Sequence, residues 1–182
     1  MINRKEFIEA KNKAAKILNS IGVSLRKDEL EQIEVVDFGL GELNQSGVQI
    51  LTLVATEKIT VKLLVLFPLQ THPEHKHPPF GSYPGKEETI RCEWGILYLY
   101  TPGEPNQNPK SHPPKYRVHT YSVWHEYILS PGQQMTLQPN IPHWFQAGKE
   151  GAVVWSFSTK AVDIQDIFTD PDIVRTTVVV DE

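Results

Sequence analysis

Three histidines and one carboxylate stand at spacings that would let them share a divalent cation. His75 and His77 flank Lys76, and in an extended chain side chains two apart project from one face. Glu88 opens the next apolar segment, and His143 follows much later, after the turn sequence Pro139-Asn140-Ile141-Pro142. Three imidazoles and a carboxylate form an N3O donor set that suits Mn, Fe, Co, Ni and Zn alike. Structural zinc sites usually contain thiolates, whereas this chain has a single cysteine, Cys92. Four protein ligands on an octahedral ion would leave two adjacent positions for a substrate that chelates through neighbouring oxygens.

Positioning such a set requires strands. Near the start of the chain, Phe7, Ile8, Ala14, Ala15, Ile17, Leu18 and Ile21 recur close to a 3.6-residue period, and Asn3 with Glu6 resembles a capping box. A helix over 3–21 ended by Gly22 is expected, with a second, short one over 25–32. From Ile33 onward the pattern changes. Segments rich in Val, Ile, Leu, Tyr and Trp (33–38, 48–55, 60–67, 89–94, 96–100, 121–129, 134–137 and 152–158) are separated by turn signals such as Pro84-Gly85, Pro102-Gly103, Pro131-Gly132 and Ala147-Gly148. This is an all-β rhythm, expected to form a sandwich, jelly roll or small barrel. The proline-dense run 101–118 predicts a stiff rim or lid. The β-branched tail 176–180 predicts pairing with another strand, of this chain or of a second subunit.

The 182 residues suffice for one core and do not force a second domain. The division expected is a helical extension over 1–32, a barrel over 33–172 and a tail over 173–182. A net charge of -4 with no basic cluster gives no footprint for nucleic acid or an anionic membrane surface. Small molecules are the partners expected. Cys92 cannot form an intramolecular disulfide, and polar residues rather than an apolar signal follow Met1, so a cytoplasmic location is expected. No apolar run approaches the roughly 20 residues of a membrane helix.

A lone His-x-His is weak, and two solvated histidines fit it as well; joint spacing is what matters. The chain resembles the cupin pattern: His75-Lys76-His77, then Glu88, with Gly95 seven positions later, which selects Glu88 over Glu87. A second cupin pattern falls on Gly132, Gln138, Asn140 and His143 with its spacing intact. Leu69 stands where the first pattern has glycine and Asn140 where the second does; Asn tolerates the left-handed conformation better than most residues. Gln138 and Ala147 replace a proline and an asparagine, and the gap from His77 to Glu88 is long. None of these departures removes a ligand.

A narrower resemblance lies in the runs Val65-Leu66-Phe67-Pro68, Pro73-Glu74-His75-Lys76-His77-Pro78-Pro79, Glu88-Thr89-Ile90-Arg91-Cys92, Val123-Trp124-His125-Glu126, His143-Trp144-Phe145-Gln146-Ala147-Gly148 and Asp166-Ile167-Phe168-Thr169-Asp170-Pro171. These are similar to the short bacterial D-lyxose isomerases, a cupin family, over nearly the whole chain up to Pro171. The resemblance implies a cupin-type jelly-roll barrel with a short N-terminal helical segment, working as a homodimer. It implies an aldose-ketose isomerase acting on D-lyxose and D-xylulose, and also on D-mannose and D-fructose. One manganese per chain is implied, with Zn, Fe, Co or Ni as substitutes, held by His75, His77, Glu88 and His143.

The same resemblance gives Lys62 and Asp163 catalytic roles. Lys62 interrupts the apolar run 60–66. From the strand pattern alone it reads either as a solvent-facing lysine or as a desolvated base. Glu88 ranks second as a base, since a ligating carboxylate is weakened. Trp124 and Trp144 are candidates to stack on a sugar, against the plainer reading of core packing. Ser156 stands where several relatives have a glutamate. An Fe(II) dioxygenase and a non-catalytic sugar-binding cupin are the competing functions. His72 stays open; His112, His119 and His125 read as surface or structural residues, and Cys92 as a small core hydrophobe.

Overall fold

The apolar period near the N-terminus becomes a helix because Asn3 starts it: its side-chain oxygen accepts the Glu6 amide at 2.8 Å. The computed structural model describes residues 1–181. In chain order the elements are β1 (Ile2–Asn3), α1 (Arg4–Ser20), α2 (Lys27–Gln32), β2 (Glu34–Val36), β3 (Val48–Ala55), β4 (Ile59–Leu66), β5 (Thr71–Lys76), β6 (Glu88–Thr101), β7 (His125–Leu129), β8 (Gln134–Leu137), β9 (His143–Thr159), β10 (Ile167–Phe168) and β11 (Val179–Val180). Short 3-10 turns span Lys115–Thr120 and Asp163–Gln165. No helix among the described residues is long and apolar enough to cross a membrane.

Strands β2 to β10 make one nine-stranded antiparallel sheet curled around β9. The second half of β9 pairs with β4, its first half with β5, and both halves with β6. Period-2 alternation then sorts the side chains. Ile50, Leu64, Ile90, Cys92, Phe145 and Val154 pack the concave face, while Leu51, Leu63, Val65 and Val153 meet Ala14 and Leu18 of α1 on the convex face. This is the curled, mostly β barrel with an N-terminal helix that the sequence predicts.

The strand boundaries differ in informative ways. Gly95 and the segment 148–151 read as breaks, yet β6 and β9 run straight through them. Their mutual register slips beside Trp94 and again after Gly95. Gly95 has φ +74°, and a Cβ there would collide with the Gly151 carbonyl, so the two backbones approach only because both residues are glycine. Strand β5 contains Pro73 and five polar residues and shows no apolar alternation. Residues 121–124 are not strand, because the Ser122 and Val123 amides donate to Glu74 at 2.6 and 3.1 Å instead of to a neighbour strand.

The proline-dense run also sits elsewhere than expected. It straps the convex face, where the Ser111 amide donates to the Tyr100 hydroxyl at 3.0 Å and Gln146 bonds the His112 backbone in both directions. The tail pairs within the chain: β11 lies parallel to β1.

Candidate metal centre

The four predicted ligands come from three strand ends, with His77 just beyond the end of β5. His75, next to last in β5, lies directly opposite His143, the first residue of β9; Glu88 opens β6 opposite Leu137, the last residue of β8. Between β8 and β9 the chain reverses through Asn140 at φ +63°. The Asn140 amide donates to the His77 carbonyl at 2.9 Å, which ties the two motif segments together. Gly85 allows the approach, since a Cβ there would lie 2.7 Å from the same carbonyl and 2.8 Å from Pro139.

His75, His77 and His143 are all buried, with ligand atoms within 4.8 Å of one another. Their outer nitrogens fix the tautomers. Nδ1 of His75 lies 2.9 Å from the Pro73 carbonyl and Nδ1 of His143 lies 2.9 Å from the Ile141 carbonyl. A carbonyl only accepts, so both Nδ1 atoms carry the proton and both Nε2 lone pairs face inward. Nε2 of His143 is buried without a hydrogen-bond partner among the described residues, an arrangement that costs free energy unless a Lewis acid completes it. Burial, reinforced by the neighbouring His77, pushes the His143 pKa down to about 3, and burial likewise holds His75 well below its ordinary value. Neutral imidazoles are what a metal requires.

His77 is bonded differently. Its Nδ1 is 2.6 Å from Asp166 and its Nε2 is 3.0 Å from Glu88. Burial and the Lys86 charge oppose a proton on His77, but the two carboxylates outweigh them and raise its pKa. Two donors at about 2.1 Å from a shared octahedral ion stand about 3 Å apart, so a cation can replace the proton between His77 and Glu88 with little movement. Glu88 also accepts from the Ser156 hydroxyl and faces Lys86 Nζ at 3.2 Å. Burial works to raise its pKa; Lys86 and His77 prevail and hold the carboxyl well below the usual range. Glu87 is exposed and accepts from Gln138. The residues present fit a divalent ion.

Lys62 and Asp163 meet across the cavity as an ion pair. Lys62 points inward from β4, and Asp163 comes from the 3-10 turn after β9. Burial would raise the Asp163 pKa, yet Lys62 and Lys86 bring it down to about 2. The predicted aromatic contacts do not come to this cavity. Trp144 follows His143 and therefore faces the other way: it is fully buried, stacked on Tyr100 at 3.9 Å, and donates its indole N–H to the Val123 carbonyl. Trp124 packs against it at 5.1 Å. The apolar walls are Phe145, Phe168, Ile50 and Leu64, with His72 beside them. No residue of 101–118 lines the cavity, so the run forms no wall of it.

The chain is 49% identical over 175 residues to the D-lyxose ketol-isomerase of Thermofilum sp. (strain ex4484_79), covering 96% of this chain and 97% of that protein. The chain belongs to the D-lyxose ketol-isomerase family. The D-lyxose/D-mannose isomerase of Thermosediminibacter oceani is likewise 49% identical, over 96% of this chain and 97% of its own length. No family model matches the chain. Among solved structures, the L-ribose isomerase of Cellulomonas parahominis superposes with a TM-score of 0.80 over 98% of both chains at 15% identity, a likeness of fold.

Within the D-lyxose ketol-isomerase fold of this chain, both replaced motif glycines keep the left-handed backbone: Leu69 has φ +60° and Asn140 φ +63°. The pattern's glycines thus mark a conformation that this chain reaches without them. Sequence reasoning did not single out Lys86, Asp166 or Arg175, which also line the cavity. Lys86 carried a signal, since it precedes Glu88 by two and so shares its face. Asp166 and Arg175 carried none, because their partners lie far away in the chain.

Proposed function

We propose that this protein is a metal-dependent aldose-ketose isomerase interconverting D-lyxose with D-xylulose, and D-mannose with D-fructose, through an enediol. Its carrying observation is the buried cluster of His75, His77 and His143, whose His75 lines one cavity with Glu88 and the Lys62–Asp163 pair, in a chain about half identical to D-lyxose ketol-isomerases. We take His75, His77, Glu88 and His143 as the metal ligands, manganese as the ion, residues 33–172 as the catalytic barrel, and a cytoplasmic homodimer as the working form.

A bound divalent ion supplies an electrophile for the sugar carbonyl and the adjacent hydroxyl. The protein must then move a proton between C1 and C2. Within the Lys62–Asp163 ion pair the carboxylate takes the proton from one carbon and returns it to the next, while the Lys62 ammonium holds it over the cavity and exchanges a proton with the sugar oxygens. Glu88 is the poorer base, being engaged by Ser156, Lys86 and His77. Asp166 holds the His77 ring in orientation. Phe145 and Phe168 keep bulk water from the reacting carbons.

The test is incubation of manganese-reconstituted protein with pentoses and hexoses in heavy water. Deuterium at C2 of D-lyxose or C1 of D-xylulose is the expected result, and it persists without oxygen, unlike the action of an Fe(II) dioxygenase. Saturable sugar binding with no exchange across the panel overturns the reading.

A further inference from the structure

The cavity beside the histidines has a volume of about 30 Å³. That holds roughly two waters, whereas ligand pockets run to about 300–1,000 Å³. A second cavity of about 390 Å³ has a lining that includes Phe7, Gln32, Val36 and Thr177. Arg175 lines both. One guanidinium nitrogen, Nη2, lies 3.5 Å from Asp163 and 3.6 Å from Glu34. Both distances exceed the roughly 2.7–2.9 Å of a strong charge-assisted bond, so the side chain is held loosely. Its backbone is pinned. The Val174 amide donates to the Phe38 carbonyl at 2.9 Å, and the Thr177 hydroxyl accepts the Asp37 amide at 3.1 Å.

We propose that Arg175 is the gate and specificity-determining residue of this site: its side chain swings aside so that an open-chain sugar spans both cavities, then grips the distal hydroxyls. This rests on the isomerase reading. The fixed backbone confines the motion to side-chain torsions, and Asp163 keeps Lys62 as a partner when the guanidinium leaves. A planar cation with five N–H donors suits neighbouring hydroxyls. The reacting end stays at the histidines, so the carbons that distinguish a hexose from a pentose lie toward Arg175.

Two variants separate gate from grip. In Arg175→Ala, a chelator should strip manganese about 10-fold faster at unchanged equilibrium affinity, and KM should rise about 10-fold, more for D-mannose than for D-lyxose, with kcat within about 2-fold. Arg175→Met keeps the bulk without the donors, so stripping should stay slow while KM rises. Unchanged stripping and unchanged KM values in the folded alanine variant overturn the proposal, as does an equal fall in kcat for both sugars at constant KM. Chelator access needs no sugar, so a wild-type protein inactive on every sugar would sink the reaction while the stripping rates still decided the gate.

Discussion

Glu74 and His75 are neighbours on β5 that face opposite sides of the sheet, and each anchors a buried polar cluster of a different kind. Glu74 is closed. Its carboxylate accepts from the Ser122 amide and hydroxyl, both at 2.6 Å, from the Val123 amide at 3.1 Å and from the Thr169 hydroxyl at 2.7 Å. The histidine cluster is open, with inward lone pairs and a buried His143 nitrogen that has no partner among the described residues. Buried polarity satisfied from within holds connections in place; buried polarity left incomplete is directed at a ligand.

The strongest way to break that contrast is His77→Ala. Metal retention and isomerisation should both fall by more than about 100-fold, with an unchanged circular dichroism spectrum; elemental analysis after gel filtration checks it. Glu74→Ala should do the reverse. Stranding several buried donors costs about 3 kcal/mol of stability in denaturant titrations, while metal bound per folded molecule stays the same. If stoichiometry fell as well, the two clusters would not be separate.

Acid sharpens the difference. His77 has a folded pKa raised above its ordinary value, so in the metal-free protein its contribution to stability is present below the unfolded pKa and is lost as pH rises through the folded one. An ion must displace that proton, so metal affinity should rise with pH through the same window, and calorimetry in two buffers should register the proton released. The smallest effect tests the sugar contact expected of Trp144. Trp144→Phe removes the indole bond to Val123 and should cost about 1–2 kcal/mol, leaving the KM for D-lyxose unchanged. A raised KM would return Trp144 to the sugar site.

The sequence made the β rhythm, the capped helix and the spacing of His75, His77, Glu88 and His143 readable because each depends on local geometry: alternation, a cap, a turn. What stayed hidden depends on distance. Nothing local in Arg175 points to Asp163, and nothing in Asp166 points to His77. β5 was anticipated only at His75 and His77, because its burial comes from imidazoles and a carboxylate rather than from aliphatic side chains. Gly95 and Gly151 read as chain breaks, although glycine allows two continuous strands to touch there.

The partners of β9 all precede it in the chain. As the polypeptide leaves the ribosome, β4, β5 and β6 therefore present unpaired edges until residues 143–159 are made, a delay typical of long-range strand pairing and a period of exposure to aggregation. His143 arrives with that same strand. The nascent chain thus cannot offer all three imidazoles to an ion until the strand that joins β4, β5 and β6 is made.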